Sequence, residues 1–388
     1  LVIKGDKMEP VKGFKDKLGK DAEKAAIIRE VTRQTFERYN FQEVETPIIE
    51  YEKFVKGENS NDETISDIFK LKDKGKRDLA LRYEFTFQLK RIAKNQKLPF
   101  KRFQIGPVFR DEPVQGNRLR QFTQCDIDTI GATIKDEAEI LSAIKEILTS
   151  LKIPSIIYVN NRKLLNEILE EQKINSENKE AVIKEIDKLD KLPIAEVKKN
   201  LKKYNAENII NIFAKPISYF QKYKSYAEIQ ELKDYCKMYG FEVKFLPSLA
   251  RGLSYYTGNV FEIKSNIKES LCGGGTYLIE GVQSTGISFS IERLMAVTNI
   301  LININRILVV SLDQDKKAIE LTKKLRKQNQ NTSIFFGKPN KAFDYAKSYG
   351  IKKIIFVGKK EVQQKKFMIK DLKTGKQKTL TITKVTKK

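Results

Sequence analysis

Between Asp21 and Tyr39, apolar residues recur at Ala25, Ile28, Val31 and Phe36, and this spacing predicts a long helix. The stretch YNFQEVETPIIE that follows reads as entry into a strand interrupted by Pro47. DLALRYEFTFQL alternates, with Leu79, Leu81, Tyr83, Phe85 and Phe87 on one face and Arg82, Glu84, Thr86 and Gln88 on the other. That period of two predicts a half-buried strand with a polar working face. KRFQIGPVFR and RLRQFTQCDIDTIG read as two strands joined by a loop over residues 111–117. The first turns Phe103, Ile105 and Phe109 one way and Arg102, Gln104 and Arg110 the other. The second turns Cys125 and Ile127 inward and sets Arg118, Arg120, Phe122, Gln124, Asp126 and Asp128 along one face. A polar face of mixed sign is costly unless something binds there.

Downstream the pattern changes twice. From about Ser155 to Tyr235 it becomes a run of charged amphipathic helices, which predicts a helical domain inserted at 155–235 into a larger domain spanning 8–302. SLCGGGTYLIEGVQSTGISFSIERLMAV then reads as a glycine triplet, a strand and a helix carrying Glu292 and Arg293. After Asn305, the strands RILVVSL, NTSIFFG and KKIIFVG alternate with helical DKKAIELTKKLRKQ and KAFDYAKSYG. This order predicts a small, mostly parallel α/β domain over 305–388, ending in a basic hairpin.

Composition narrows the chemistry. The 388 residues hold 74 Lys+Arg against 50 Asp+Glu, a net charge of +24 that favours encounter with polyanions such as nucleic acid. There is no histidine, so acid-base catalysis, nucleophile activation and metal ligation by imidazole are all excluded. Three isolated cysteines, Cys125, Cys236 and Cys272, form neither a disulfide framework nor a CxxC zinc site and are expected reduced. No apolar run is long enough to span a bilayer, and a soluble, cytoplasmic protein without membrane association is expected. LVIKGDK ahead of Met8 reads as leader sequence without a role in the fold.

Arg110, Arg118, Arg251 and Arg293 come from four separated segments that each lead into or out of a predicted strand. Guanidinium groups are rigid forks suited to phosphate oxygens, and several converging on one sheet face would suit a triphosphate. Glu84, Thr86, Gln124 and Asp128 supply acceptors for an ammonium group or a protonated ring. Phosphate clamps beside an amine cage imply ATP plus an amino compound. Neither a P-loop nor a strand-linked GxGxxG is present, so the nucleotide would not bind in a Walker or Rossmann manner. Taken singly, these residues are ordinary: a solvated strand face, packing aromatics, a helix surface pair. Their joint occurrence in order carries the reading.

That order resembles the histidyl-tRNA synthetases, class II aminoacyl-tRNA synthetases, of the archaeal and eukaryotic kind. The helix and strand ending at Pro47 resemble motif 1, FKRFQIGPVFRDEPVQGNRLRQFTQCDIDTIG resembles motif 2 and GISFSIERL resembles motif 3. LARGLSYYTGNVFE and CGGGTY are similar to the two histidine-specific motifs. The resemblance implies an α+β fold for 8–302, an antiparallel sheet flanked by helices with the helical insertion, and an anticodon-binding role for the α/β domain at 305–388. It implies that Arg110 grips the ATP α-phosphate, Arg118 and Arg293 the distal phosphates, and Glu112 and Phe122 the adenine. It implies that Glu84, Thr86 and Gln124 hold the α-amino group of histidine while Asp128 and Tyr256 reach its imidazole, with Tyr277 nearby. Arg251 would stabilise charge as the carboxylate attacks, and Mg2+ would bridge the ATP phosphates rather than sit in a protein cage. tRNA(His) as partner and a homodimer through the region near Pro47 are likewise implied.

Arg251 and Tyr256 are five residues apart and would face opposite sides of a regular strand, so Gly252 is expected to kink the chain. The chain departs from the family pattern at Ser254, Thr276, Leu278 and Ser290, where the family usually has Asp, commonly Arg and Asp, and frequently Gly. The competing reading is a non-catalytic relative, either the regulatory subunit of ATP phosphoribosyltransferase or a tRNA-binding sensor. The regulatory subunits generally lack the last domain and drift at the ATP-binding arginines, both of which this chain retains.

Overall fold

A computed structural model describes residues 9–56, 67–114, 118–251, 255–301 and 304–380, and the chain divides into two units, 1–300 and 301–388. The expected leader, residues 1–7, lies outside the described residues.

The first unit opens with α1 (Gly19–Arg38), which buries Ile28, Thr32, Thr35 and Phe36. It stops at Asn40, whose φ of 60° lets the Phe41 N–H reach back to the Phe36 carbonyl at 3.1 Å. Asparagine tolerates that left-handed turn better than most residues, which is how many helices end. Pro47 then separates β1 (Gln42–Glu43) from β2 (Ile49–Tyr51), and the two join different sheets. After α2 (Glu52–Lys56), the strands β3 (Lys70–Lys72) and β4 (Asp78–Leu81) complete an antiparallel three-stranded sheet of order β2-β4-β3.

The strand expected over residues 78–89 ends at Leu81, and α3 (Thr86–Ile92) replaces its second half. Two local demands break the ladder. Arg82 turns inward, donating to the carbonyls of Thr46 and Pro107 at 2.7 Å each, and Glu84 accepts the Phe87 N–H at 2.9 Å across the first turn of the helix. A buried guanidinium needs such acceptors, and backbone carbonyls on two neighbouring segments supply them.

The large sheet is built from β5 (Phe100–Phe109), β6 (Gln121–Ile130), β7 (Ile156–Asn161), β8 (Lys244–Phe245), β9 (Tyr256–Lys264), β10 (Cys272–Ile279) and β11 (Val282–Ser290), together with β1. Its order is β1-β5-β6-β11-β10-β9-β7-β8; the interior pairs are antiparallel and the two edge pairs parallel. On one face the cross-strand row Phe103, Ile127, Ile287 and Phe261 lies beside the row Ile105, Cys125, Phe289, Cys272 and Ile263. These rows pack under α1 and α4 (Ile134–Ser150) in the main apolar core. Each fully buried side chain of this size stabilises by about 1.5–3 kcal/mol relative to exposure. The inward placement of Cys125 and Ile127 follows the alternation, and the three cysteines are free and buried.

The segment expected as a helical insertion at 155–235 is helical except at its start. Its first residues form β7, paired with β9 across Asn161↔Asn259, and α10 (Tyr226–Met238) closes it by packing into the main core with α4. Between them, α5 (Arg162–Glu171), α6 (Lys179–Asp187), α7 (Ile194–Leu201) and α8 (Ile209–Phe213) enclose a separate core around Val182, Ile183, Val197 and Leu201, while α9 (Ile217–Phe220) places Phe220 in the main core. A short strand whose partner lies about a hundred residues downstream carries no local sign of where it pairs. Helix α11 (Ile291–Val297) ends the described elements of this unit.

The second unit carries β12 (Arg306–Ser311), α12 (Asp315–Lys327), β13 (Asn331–Phe336), α13 (Pro339–Ser348), β14 (Lys353–Val357), α14 (Lys359–Gln363), β15 (Met368–Asp371) and β16 (Gln377–Thr379). Its sheet runs β13-β12-β14-β15-β16, parallel across the first three strands and antiparallel through the basic hairpin. Apolar clusters line both faces, as a parallel sheet covered by helices requires.

Candidate active site

The second face of the large sheet is polar. Register sets Arg102, Asp128, Gly286 and Gly275 in one cross-strand row and Gln104, Asp126, Ser288, Gly273 and Glu262 in the next. Two glycines are required by close approach. A methyl group at Gly286 would stand 1.9 Å from Asp128 Oδ1, and one at Gly273 would stand 2.6 Å from Arg251 Nη1. The glycine triplet, expected to precede a strand, lies inside β10 and clears the space that these side chains occupy.

At one end of this face the acidic residues gather. Asp126 and Asp128 are buried, with Arg102 Nη2 2.7 Å from Asp128 and 4.0 Å from Asp126. Tyr277 donates its hydroxyl to Asp128, and the Gln124 amide donates to Asp126 at 2.8 Å. Burial pushes the carboxyls of Asp126, Asp128 and Glu84 above their ordinary range, and Arg102 opposes this at both aspartates. Tyr255 stacks on Tyr256 with centroids 4.6 Å apart and meets Tyr277 edge-on at 5.7 Å, walling the pocket with aromatic rings.

At the other end the arginines gather. The Arg110 guanidinium lies over the rings of Tyr83 and Phe122, 4.4 and 5.0 Å from their centroids, and donates to Gln124 Oε1 at 3.3 Å. Arg118 donates to Glu112 at 3.3 Å, and Tyr83 reaches the other oxygen of Glu112 at the same distance. Arg293 is held by Ser290, whose hydroxyl caps α11 by accepting the Arg293 N–H at 3.2 Å, and by the Ser270 carbonyl, which accepts from Nη1 at 2.7 Å. Burial lowers the Arg293 pKa, and the nearby charges of Arg118, Arg110 and Arg251 lower it further. Four cations that repel one another on one surface call for an anion.

The structure therefore brings Glu84, Thr86, Arg110, Glu112, Arg118, Phe122, Gln124, Asp128, Arg251, Tyr256, Tyr277 and Arg293 to one side of the sheet. Glu84 and Thr86 arrive from the first turn of α3 rather than from a strand. Arg251 precedes β9 and stands beside Tyr256, while Gly252 and Ser254, with the expected kink, lie outside the described residues, as do 115–117 of the motif 2 loop. Residues without an expected role also join the site. Arg102 and Asp126 share the row of Asp128 or the next, Tyr255 stacks on Tyr256, and Glu292 accepts the Thr123 N–H at 3.1 and 3.0 Å. The period of two had set Arg102 on the polar face of its strand, but its partner emerges only from the β5–β6 register. Two departures from the family pattern point away from the site. Thr276 donates to buried Glu137 on the apolar side of the sheet, and Leu278 is exposed. A cavity of about 310 Å³ on that side is lined by Glu137, Asn259, Thr276 and Leu278 and contains none of the residues named for the site.

An antiparallel sheet with an arginine cluster at one end of its open face and an acidic pocket at the other defines the class II aminoacyl-tRNA synthetase architecture. Residues 13–294 match the family described as histidyl-tRNA synthetase, and residues 301–388 match the anticodon binding domain. A histidine–tRNA ligase 1 of Bacillus cereus is 31% identical over 409 residues, covering 95% of this chain and 96% of that protein. The chain belongs to the histidyl-tRNA synthetase family. Among solved structures, a histidyl-tRNA synthetase from Nostoc sp. is similar in fold at a TM-score of 0.84 and 24% identity, covering 97% of each chain. An ATP phosphoribosyltransferase regulatory subunit/histidyl-tRNA synthetase from Bacillus halodurans is also similar in fold, at a TM-score of 0.75 and 21% identity, over 92% of this chain and 99% of that one.

Proposed function

We propose that the chain joins L-histidine to tRNA(His) in two steps. ATP enters as its Mg2+ complex, and the histidine carboxylate attacks the α-phosphorus. An oxygen–phosphorus bond forms, the bond to the β-phosphate breaks, and histidyl-adenylate and pyrophosphate result. The terminal ribose hydroxyl of tRNA then attacks the acyl carbon and AMP leaves. The observation that carries this reading is the convergence of Arg110, Arg118, Arg251 and Arg293 beside the pocket of Glu84, Asp126 and Asp128. The nucleophile belongs to the substrate, so positioning and charge stabilisation suffice and a chain without histidine can perform the reaction.

In this reading Arg110 binds the α-phosphate, Arg118 and Arg293 the outer phosphates, and Arg251 the charge that develops at the reacting carboxylate and phosphorus. Glu112 and Phe122 take the adenine. Glu84, Thr86 and Gln124 hold the α-ammonium group, and Asp128, Tyr256 and Tyr277 read the ring. Residues 8–302 form the catalytic part and 305–388 meet the anticodon, an assignment supported by the match of 301–388 to anticodon-binding domains. A homodimer through the region around Pro47 is supported by the exposure of Ile48, Ile49, Tyr51 and Leu71 near or on the three-stranded sheet. Among the described residues no helix is long and apolar enough to cross a membrane, and cytoplasmic work on tRNA fits the basic charge of +24.

ATP–pyrophosphate exchange, measured with each amino acid in turn, tests the proposal. Stimulation by histidine alone, followed by acylation of tRNA(His), is the expected result. Exchange with a different amino acid overturns the specificity, and absence of exchange with retained histidine binding would identify a regulatory relative.

A further inference from the structure

Arg102 is completely buried, and it is the largest such side chain among the described residues. A guanidinium removed from water is costly unless it is paired and hydrogen-bonded on all sides. Here the pairing is partial. Nη2 approaches Asp128 Oδ2 at 2.7 Å and Asp126 at 4.0 Å as an ion pair without hydrogen-bond geometry, and none of the three guanidinium nitrogens finds a hydrogen-bond acceptor. An arginine kept only for stability would be fully satisfied, so its position is better explained by what its charge does to its neighbours.

The groups that face Asp128 are few. From its own strand comes Asp126, from β5 comes Arg102, from β10 comes the Tyr277 hydroxyl, and from the start of α3 comes Glu84. The neighbouring strand β11 presents Gly286 there and adds no side chain. Three carboxyls thus share one guanidinium in contact with two of them, and they cannot all be ionised at once. The geometry chooses between the aspartates. Asp128 receives both the close ion pair and the tyrosine hydroxyl, whereas Asp126 receives the Gln124 amide and only the distant edge of Arg102.

We infer that Arg102 is a positioning residue that keeps Asp128 ionised and aimed into the pocket, where it accepts the ring N–H of histidine, and leaves Asp126 neutral. Burial drives Asp126 well above the ordinary carboxylate range and Asp128 upward as well, in line with a pair that holds one charge. The inference rests on the proposed histidine site.

Histidine binding by calorimetry, and the pH dependence of KM for histidine and for ATP in pyrophosphate exchange, test it on the full-length wild type, Arg102→Met and Asp126→Asn. Arg102→Met raises KM for histidine roughly tenfold to hundredfold, the usual worth of a hydrogen bond to a charged group, and leaves KM for ATP unchanged. Its loss of affinity on acidification moves to higher pH than in the wild type, because Asp128 takes a proton more readily without the guanidinium. Arg102→Lys restores part of both. Asp126→Asn replaces a carboxyl that is already neutral with a neutral amide, so the same loss stays at the wild-type pH; this variant decides the matter where Arg102→Met does not fold. A folded Arg102→Met protein with the wild-type KM and pH profile, or a shifted profile for Asp126→Asn, overturns the inference alone. A wild type that does not bind histidine overturns both the inference and the functional reading beneath it.

Discussion

Thr276 donates its hydroxyl to Glu137 on the apolar side of β10, while the next residue, Tyr277, donates to Asp128 on the opposite face. Neighbours on one strand thus tie the interior to the candidate site. Asn259 also donates to Glu137, at 2.7 Å, and in turn accepts from Asn161 at 2.8 Å.

Glu137 makes this network sensitive to pH. Burial raises its carboxyl to about 7, against the hydrogen bonds from Thr276 and Asn259 that favour the charged form. The folded protein therefore holds a proton that the unfolded chain releases at lower pH. Stability is full below the unfolded value of 4.5 and falls as pH rises through 7. The loss is about 3 kcal/mol at most, from the size of the shift at about 1.4 kcal/mol per unit. Glu137→Gln removes this dependence. Denaturation of both proteins at about pH 5.5 and about pH 8 should show the variant gaining on the wild type at the higher pH, and a constant difference would refute the assignment.

In the proposed reaction, two glycines in β10 and β11 separate histidine binding from adenylate formation. Gly286→Ala forces the Asp128 carboxylate aside, since the new methyl would stand 1.9 Å from Oδ1 against a rigid, buried neighbour. KM for histidine rises and ATP binding is retained. Gly273→Ala meets only the end of the Arg251 side chain, at 2.6 Å, which can swing away. That variant folds normally and binds histidine, but kcat for adenylate formation falls. Steady-state exchange kinetics on the two variants distinguish these outcomes; identical profiles would contradict the division of the face into a binding end and a reacting end.

The strands around this division were largely legible in the chain. Alternation in β5 and β6 assigned Phe103, Cys125 and Ile127 to one face and Arg102, Gln124 and Asp128 to the other, as the register bears out. Glu84 was misread because Tyr83, Phe85 and Phe87 alternate with polar residues as a strand would, whereas the buried Arg82 breaks the ladder and Glu84 helps to start α3. Pairings such as Arg102 with Asp128 depend on register between strands, which no periodicity within one strand encodes. The first edge of the helical segment escaped the sequence for the same reason, β7 having its partner in β9.

Arg251 carries the sharpest kinetic expectation. It stands over Gly273, 3.8 Å from Glu262, and contributes to the positive field at Arg293. In the proposed reaction its guanidinium meets charge that grows in the transition state, and removing one such preorganised donor costs about 3 to 4 kcal/mol. Arg251→Ala should lower histidine-dependent pyrophosphate exchange by about a hundredfold to a thousandfold while histidine still binds. Near-normal exchange would remove Arg251 from the mechanism.

Ser290 tests how Arg293 is held. Its side chain accepts the Arg293 N–H at 3.2 Å as the N-cap of α11, which follows β11 directly. Glycine is itself a tolerable N-cap because its backbone adopts the required extended turn. Replacing a serine cap by alanine costs about 0.5–2 kcal/mol, whereas replacing it by glycine costs only a few tenths. Ser290→Ala should therefore lower the unfolding free energy and raise KM for ATP, as Arg293 loosens, and Ser290→Gly should leave both close to the wild type. Urea denaturation with ATP titration of the two variants measures this, and equal effects of alanine and glycine would mean that the cap does not position Arg293.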